Sequence, residues 1–176
     1  DEHQSKTHIV QSDASLLRKA WGKATRSGLA VNTRVYANFS LRNNLPVRSE
    51  VMQVVERLPD SVLGTFKVSK RSRLRDLRLM AECGLVLCPR GAGMDTHRFW
   101  ECLLVGALPI VLESDHCARL ARQFGLPHVA LETWESLNDR HKLEESWEIF
   151  QETTWDFSVL SAHFWITTIF GSDPEN

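Results

Sequence analysis

At 176 residues and 43% hydrophobic, the chain is long enough for one domain with a genuine core and too short for two large ones. Its 21 basic and 22 acidic residues leave a formal net charge of −1, which excludes a global electrostatic pull towards nucleic acid or an anionic membrane. The sequence contains neither a signal-peptide pattern nor an apolar run of about 18 residues, the length that spans a bilayer as a helix.

In chain order, Ser12 to Arg26 reads as a helix, with Leu16, Leu17, Ala20 and Trp21 on one stripe and Gly28 beyond its end. Val35 to Leu41 is an apolar, aromatic and β-branched strand that runs into the polar turn "RNNLP". Pro46 then opens a helix in which Val47, Val51, Val54, Val55 and Leu58 recur at helical spacing until Pro59. A weak strand follows at Val62 to Val68. Next comes a helix from Ser72 to Glu82 with Leu74, Leu77 and Met80 or Ala81 turned inward. Gly84 starts the strand "LVLC". A glycine-containing charged stretch leads to a helix from Thr96 to Val105 and the strand Ala107 to Glu113. Cys117 to Phe124 is helical, Pro127 to Leu131 is a short strand, and the remainder to Phe170 reads mostly as helix.

Short apolar strands alternating with helices of about ten residues are the pattern of βαβ units, so the expected fold is a doubly wound α/β domain with a mostly parallel sheet. The expected organisation is an N-terminal helix and lead-in over residues 1–34, the α/β unit over 35–137, and C-terminal helices packing on it over 138–176. Charge is unevenly spread. Lys67 to Arg78 holds six basic residues against one acid, and Glu132 to Asp156 holds eight acids against Arg140 and Lys142. Both read as solvated helix faces, and nucleic-acid binding through the basic run is the lesser alternative. The cysteines at 83, 88, 102 and 117 lie in or beside apolar runs without CxxC spacing, which favours buried thiols over zinc or redox chemistry. The sequon Asn38-Phe39-Ser40 falls in a predicted strand, a poor place for an acceptor. The tryptophans at 21, 134, 147, 155 and 165 have the rings to stack on sugars, but helical positions favour core anchoring.

The chemistry concentrates between Pro89 and Glu101. In an open parallel sheet the ligand crevice lies beyond the C-terminal strand ends, and this loop leaves such an end. Gly91 and Gly93 permit unusual backbone or close approach, and the helix that opens near Thr96 presents unpaired N–H groups and its positive dipole end. At 100° per residue, Phe99, Trp100, Leu103 and Leu104 form the core arc, whereas His97, Arg98 and Glu101 share the opposite side near the helix start. Arg98 and Glu101, three apart, are able to pair with each other. Alternatively, Arg98 and Arg90 take diphosphate oxygens, to which guanidinium forks are matched, while Glu101 accepts from ribose hydroxyls. There is no GxGxxG and no P-loop, and no Asp-x-Asp occurs, so no metal-held diphosphate and no metal or other cofactor is expected.

The stretch "CPRGAGMDTHRFWECLLVGALPIVL", Cys88 to Leu112, resembles the donor-binding signature of exostosin-like glycosyltransferases, C-P-R-G-x-G-x-D-T-x-R-x-[FW]-E-A-L-x-x-G-x-I-P-V, and more distantly that of α1,3-fucosyltransferases. "YANFSLRNNLPVRSEVM", "SRLRDLRLMAECGLVLCP" and "LPHVALETWESL" extend the resemblance over Tyr36 to Leu137. It implies the Rossmann-like C-terminal half of a GT-B transferase, binding a UDP- or GDP-linked sugar and passing the sugar to a hydroxyl acceptor such as a glycan, without a metal. It places donor contacts at Arg90, Arg98 and Glu101, with Ser40, Arg42 and Arg48 as further candidates; Arg48 alternatively faces solvent. Asp95 and His97 are the candidates it leaves for acid–base work. A second half is implied that supplies acceptor contacts, and since 34 residues precede Val35, that half falls to another segment or a partner domain. A non-catalytic nucleotide-sugar-binding domain is the alternative. The setting implied is the Golgi or secretory lumen for a eukaryotic enzyme and the cytoplasm for a bacterial or viral one.

Overall fold

A computed structural model describes residues 34–64, 69–162, 164, 165 and 168. The helix expected at Ser12 to Arg26 lies outside the described residues. Among the described residues, five strands form one all-parallel sheet in the order β2-β1-β3-β4-β5: β1 (Arg34–Ala37), β2 (Ser61–Leu63), β3 (Gly84–Leu87), β4 (Leu108–Leu112) and β5 (Val129–Leu131). In register, Tyr36 lies opposite Val62 on one side and Val86 on the other, and Val86 opposite Pro109. Between strands run α1 (Leu45–Val55), α2 (Lys70–Cys83), α3 (His97–Leu104) and α4 (His116–Gln123), with α5 (Arg140–Glu152) after β5. This is a Rossmann-like doubly wound domain. No helix among the described residues is long and apolar enough to cross a membrane.

Alternating side chains divide the strands between two apolar layers, as the period of two requires. Val35, Ala37, Leu85, Leu87, Leu108 and Ile110 pack with Val51, Val54 and Val55 of α1 and with Trp134, Leu137, Leu143 and Trp147. Tyr36, Val86, Cys88 and Val111 pack on the opposite face with Leu77 and Met80 of α2, Phe99 and Leu103 of α3, and Ala118 and Ala121 of α4. Helix α1 therefore leaves β1 towards one face, whereas α3 leaves β3 towards the other. These two strands are neighbours, so the chain diverges between them and opens a crevice at their C-terminal ends, the point where the strand order reverses.

Several boundaries differ from the sequence reading. The first strand ends at Ala37, not Leu41. The Ser40 carbonyl accepts from Arg48 Nη1 at 2.7 Å, and Leu41–Asn43 turn as a short 3-10 helix with Leu41 exposed. Helix α2 begins at Lys70 because the Ser69 hydroxyl caps the Ser72 amide. Its end at Cys83 is followed by Gly84 at φ 79°, a backbone that glycine adopts without a Cβ penalty. After β5 the chain is less helical than expected: Trp134–Asn138 is 3-10, Asp139 caps α5 at the Lys142 amide, and residues 153–157 are irregular before a last 3-10 turn at Ser158–Leu160. Trp134 and Trp147 are core residues. Asn38 of the sequon is buried and donates to the Tyr36 hydroxyl at 3.3 Å. All four cysteines are buried free thiols, with burial pushing Cys83 up to about 11 and Cys117 to about 12.

Candidate anion-binding crevice at the strand-order reversal

The crevice between β1 and β3 encloses about 420 Å³ and is walled by residues 38–40 and 43 after β1, Arg48 of α1, Pro89 and residues 91–93 and 95–98 after β3, and Arg73 and Glu101 beneath. That volume falls in the range of small-ligand sites, roughly 300–1,000 Å³. Three guanidinium groups, of Arg48, Arg73 and Arg98, face two carboxylates, of Asp95 and Glu101.

Arg48 is the brace of the crevice. It is 6% exposed, so the solvent-facing alternative is overturned, because its side chain reaches back over the strand ends. Its Nε donates to the Arg90 carbonyl at 3.2 Å, Nη1 to Ser40 at 2.7 Å and Nη2 to Pro89 at 3.3 Å, and its guanidinium lies over the Phe39 ring. The loops after β1 and β3 are thus tied through one cation. No carboxylate lies within ion-pair distance of it among the described residues, so its charge rests on the carbonyl dipoles and the Phe39 ring. Burial, and after it the nearby Arg98, lowers its pKa from the ordinary arginine value. A bound anion would offset both effects by favouring the charged form.

Of the two roles expected of the glycines, close approach is found at Gly91 and unusual backbone at neither. Neither Gly91 nor Gly93 has positive φ. A Cβ on Gly91 would stand 3.0 Å from Arg48 Nη2, so this residue serves close approach, whereas a Cβ on Gly93 would meet only ordinary contacts at 3.7 Å or more. The Asn44 amide donates to the Gly91 carbonyl at 3.2 Å and holds the loop from the α1 side.

Helix α3 opens at the crevice mouth, with Thr96 at its N-cap but no side-chain cap bond from it. Asp95 instead accepts from the Thr96 amide at 2.7 Å, from the Trp100 indole at 2.9 Å and from the Cys117 thiol at 3.2 Å. Its carboxylate is a pin that fixes the helix start. His97 is exposed at the rim.

Arg98 is half-buried. Its Nη2 donates to the Asn38 carbonyl at 3.1 Å and Nη1 approaches the Met80 sulfur at 3.0 Å, so it leans on the crevice floor. Glu101, expected on the open side of α3, is 7% exposed, because α2 packs beside α3 on the same face and covers it. Its nearer partner is Arg73, in an ion pair, while Arg98 Nη1 stands 3.9 Å from the other carboxylate oxygen. Beside this pair, the Tyr36 hydroxyl donates to Asp76 at 3.1 Å. Burial raises the Asp76 pKa, with Arg98, Tyr36 and Arg73 opposing.

The other expected donor contacts divide. Ser40 lines the crevice and offers its carbonyl to Arg48. The exposed Arg90 side chain lines an adjoining recess of about 390 Å³ with Asn43, Asn44 and residues 91–94, and Arg42, also exposed, lines neither. Sequence reasoning missed Arg73, Tyr36, Asn38 and Asp76. A signal was present: Arg73 lies four residues before Leu77 and seven before Met80, hence on the inward stripe of its helix. The surrounding basic run disguised it as a solvated face.

No protein-family model matches the chain, and no curated protein sequence matches it.

Proposed function

We propose that this chain is the donor-binding half of a metal-independent glycosyltransferase that takes a nucleotide-diphosphate sugar in the crevice between β1 and β3. The observation that carries the reading is the cation set at this point: among the described residues Arg48 rests on carbonyls and the Phe39 ring with no carboxylate in ion-pair range, and Arg98, 3.9 Å from Glu101, and the opening of α3 face the same space. Guanidinium forks and helix-start amides are the groups that stabilise a diphosphate, both in the bound donor and as it departs with developing charge. Arg48 and Arg98 hold the diphosphate, Arg90 lies in reach of a longer ligand from the adjoining recess, and the acceptor hydroxyl attacks the anomeric carbon from the open side. The resemblance of Cys88 to Leu112 to the exostosin-like signature supports the same assignment. Isothermal titration with UDP, GDP and their sugars tests it: binding in the micromolar to millimolar range is expected, and no binding by any of them at millimolar concentration overturns it.

A second reading, donor binding without turnover, is favoured by the engagement of Asp95 with Trp100, Cys117 and the Thr96 amide, which occupies the carboxylate considered for acid–base work. Slow release of free sugar from a bound donor separates the two, because a binding domain releases none.

A further inference from the structure

Resting on the anion-binding reading of the crevice, we propose that Arg73 is a positioning residue: by holding Glu101 it keeps Arg98 available to the ligand. Glu101 is buried and lies between two cations, with Oε1 on Arg73 and Oε2 3.9 Å from Arg98 Nη1. The outer distance is beyond hydrogen-bond length, so with Arg73 present the carboxylate is claimed from the α2 side. Arg98 Nη1 is left on the Met80 thioether, a weak acceptor that a phosphate oxygen readily displaces. Its Nη2 stays on the Asn38 carbonyl, which fixes the direction of the fork.

Removing Arg73 strands a buried carboxylate, and the nearest cation able to satisfy it is Arg98, one helical turn away on α3. A small side-chain rotation would close the gap and convert a loose contact into a charge-assisted pair. The ligand then competes with Glu101 for Arg98. Nucleotide affinity therefore depends on Arg73 through Glu101, and neutralising Glu101 should cancel that dependence. Arg73 lies at the foot of the crevice, so a direct contact with the ligand is the rival explanation, and it predicts no cancellation.

The test is a double-mutant cycle read by titration with UDP, GDP and inorganic pyrophosphate on the folded chain, folding being checked by circular dichroism. Arg73→Met should weaken nucleotide binding roughly ten- to a hundredfold, the usual range for one charge-assisted contact. Arg73→Met/Glu101→Gln should return to within about threefold of Glu101→Gln alone, a coupling that independent sites do not show. Should Arg73→Met fail to fold, Arg73→Gln, which keeps a hydrogen bond to the carboxylate, carries the same comparison with a smaller loss and the same cancellation. Unchanged affinity in the single variant overturns the proposal, as does a loss that persists in the double variant, which would make Arg73 a direct ligand contact. If the wild-type chain binds neither nucleotides nor pyrophosphate, the anion-binding reading fails first and this inference with it.

Discussion

The β3–α3 and β4–α4 units are built alike, a buried strand, a loop and an eight-residue helix on the same face of the sheet, yet they treat charge in opposite ways. After β4 the loop is short and the charges go to water: Glu113 and Arg122 pair at 2.6 Å with side chains 58% and 45% exposed. After β3 the loop is long, and Arg98 and Glu101 turn into the molecule towards Arg73, whose side chain is only 8% exposed. The difference lies in the neighbours. Strand β3 stands beside β1, whose helix departs to the other face and leaves a gap. Strand β4 stands between β3 and β5, with no reversal of order. Charge is drawn inside where the topology leaves space, and a buried pair is retained there although an exposed one is worth only about 0–1 kcal/mol.

The sharpest way to break this contrast is to remove the ion-paired arginine from each unit. Arg98→Ala should weaken UDP or GDP binding roughly ten- to a hundredfold by titration, whereas Arg122→Ala should leave it unchanged. Equal effects would erase the distinction between the units. Stability gives the next test. Arg73→Met should cost about 1–3 kcal/mol in urea unfolding, below the roughly 3–5 kcal/mol of a fully stranded buried charge because Arg98 can take up Glu101. Glu113→Gln should cost under about 1 kcal/mol. A smaller effect is expected at the glycines. Gly91→Ala presses on Arg48 and should cost about 1 kcal/mol with weakened nucleotide binding, while Gly93→Ala, in open surroundings, should change stability by less than about 0.5 kcal/mol.

The smallest effect lies just beyond the second unit, at the entry to β5, and depends on pH. Burial lowers the His128 pKa from 6.5, with Arg122 adding to the shift and the Leu126 carbonyl, 3.0 Å from Nδ1, and Glu113 opposing it. The fold thus favours the neutral ring. The unfolded chain takes up the proton first as pH falls through the mid-sixes, so this contribution is complete above that range and is lost as pH drops towards the folded value. His128→Asn should flatten the dependence of Tm between pH 8 and pH 5.5. An unaltered slope would assign the dependence to other groups.

Strands β3 and β4 and helix α3 were legible because their apolar runs are bounded by glycine, proline and a charged loop, and the doubly wound fold followed from the alternation of elements. The crevice was legible too, since Arg98 falls at the first turn of a helix leaving a strand end. Arg48 and Glu101 were located but their surroundings were not. A buried guanidinium satisfied by three carbonyls leaves no complementary acid in the sequence to betray it. Glu101 depends on which helix packs alongside α3, a tertiary fact invisible to periodicity along α3 itself. The early end of β1 at Ala37 has the same origin, since it is Arg48, eight residues after Ser40, that draws the chain out of the sheet.

The most direct measurement is a backbone amide chemical-shift titration of the wild-type chain with UDP and with GDP. Shifts concentrated in residues 38–43 and 91–98, with residues 113–122 unmoved, are the predicted result. A map that spares the β1–β3 crevice, or that centres on the β4–α4 unit, would contradict the assignment of this site.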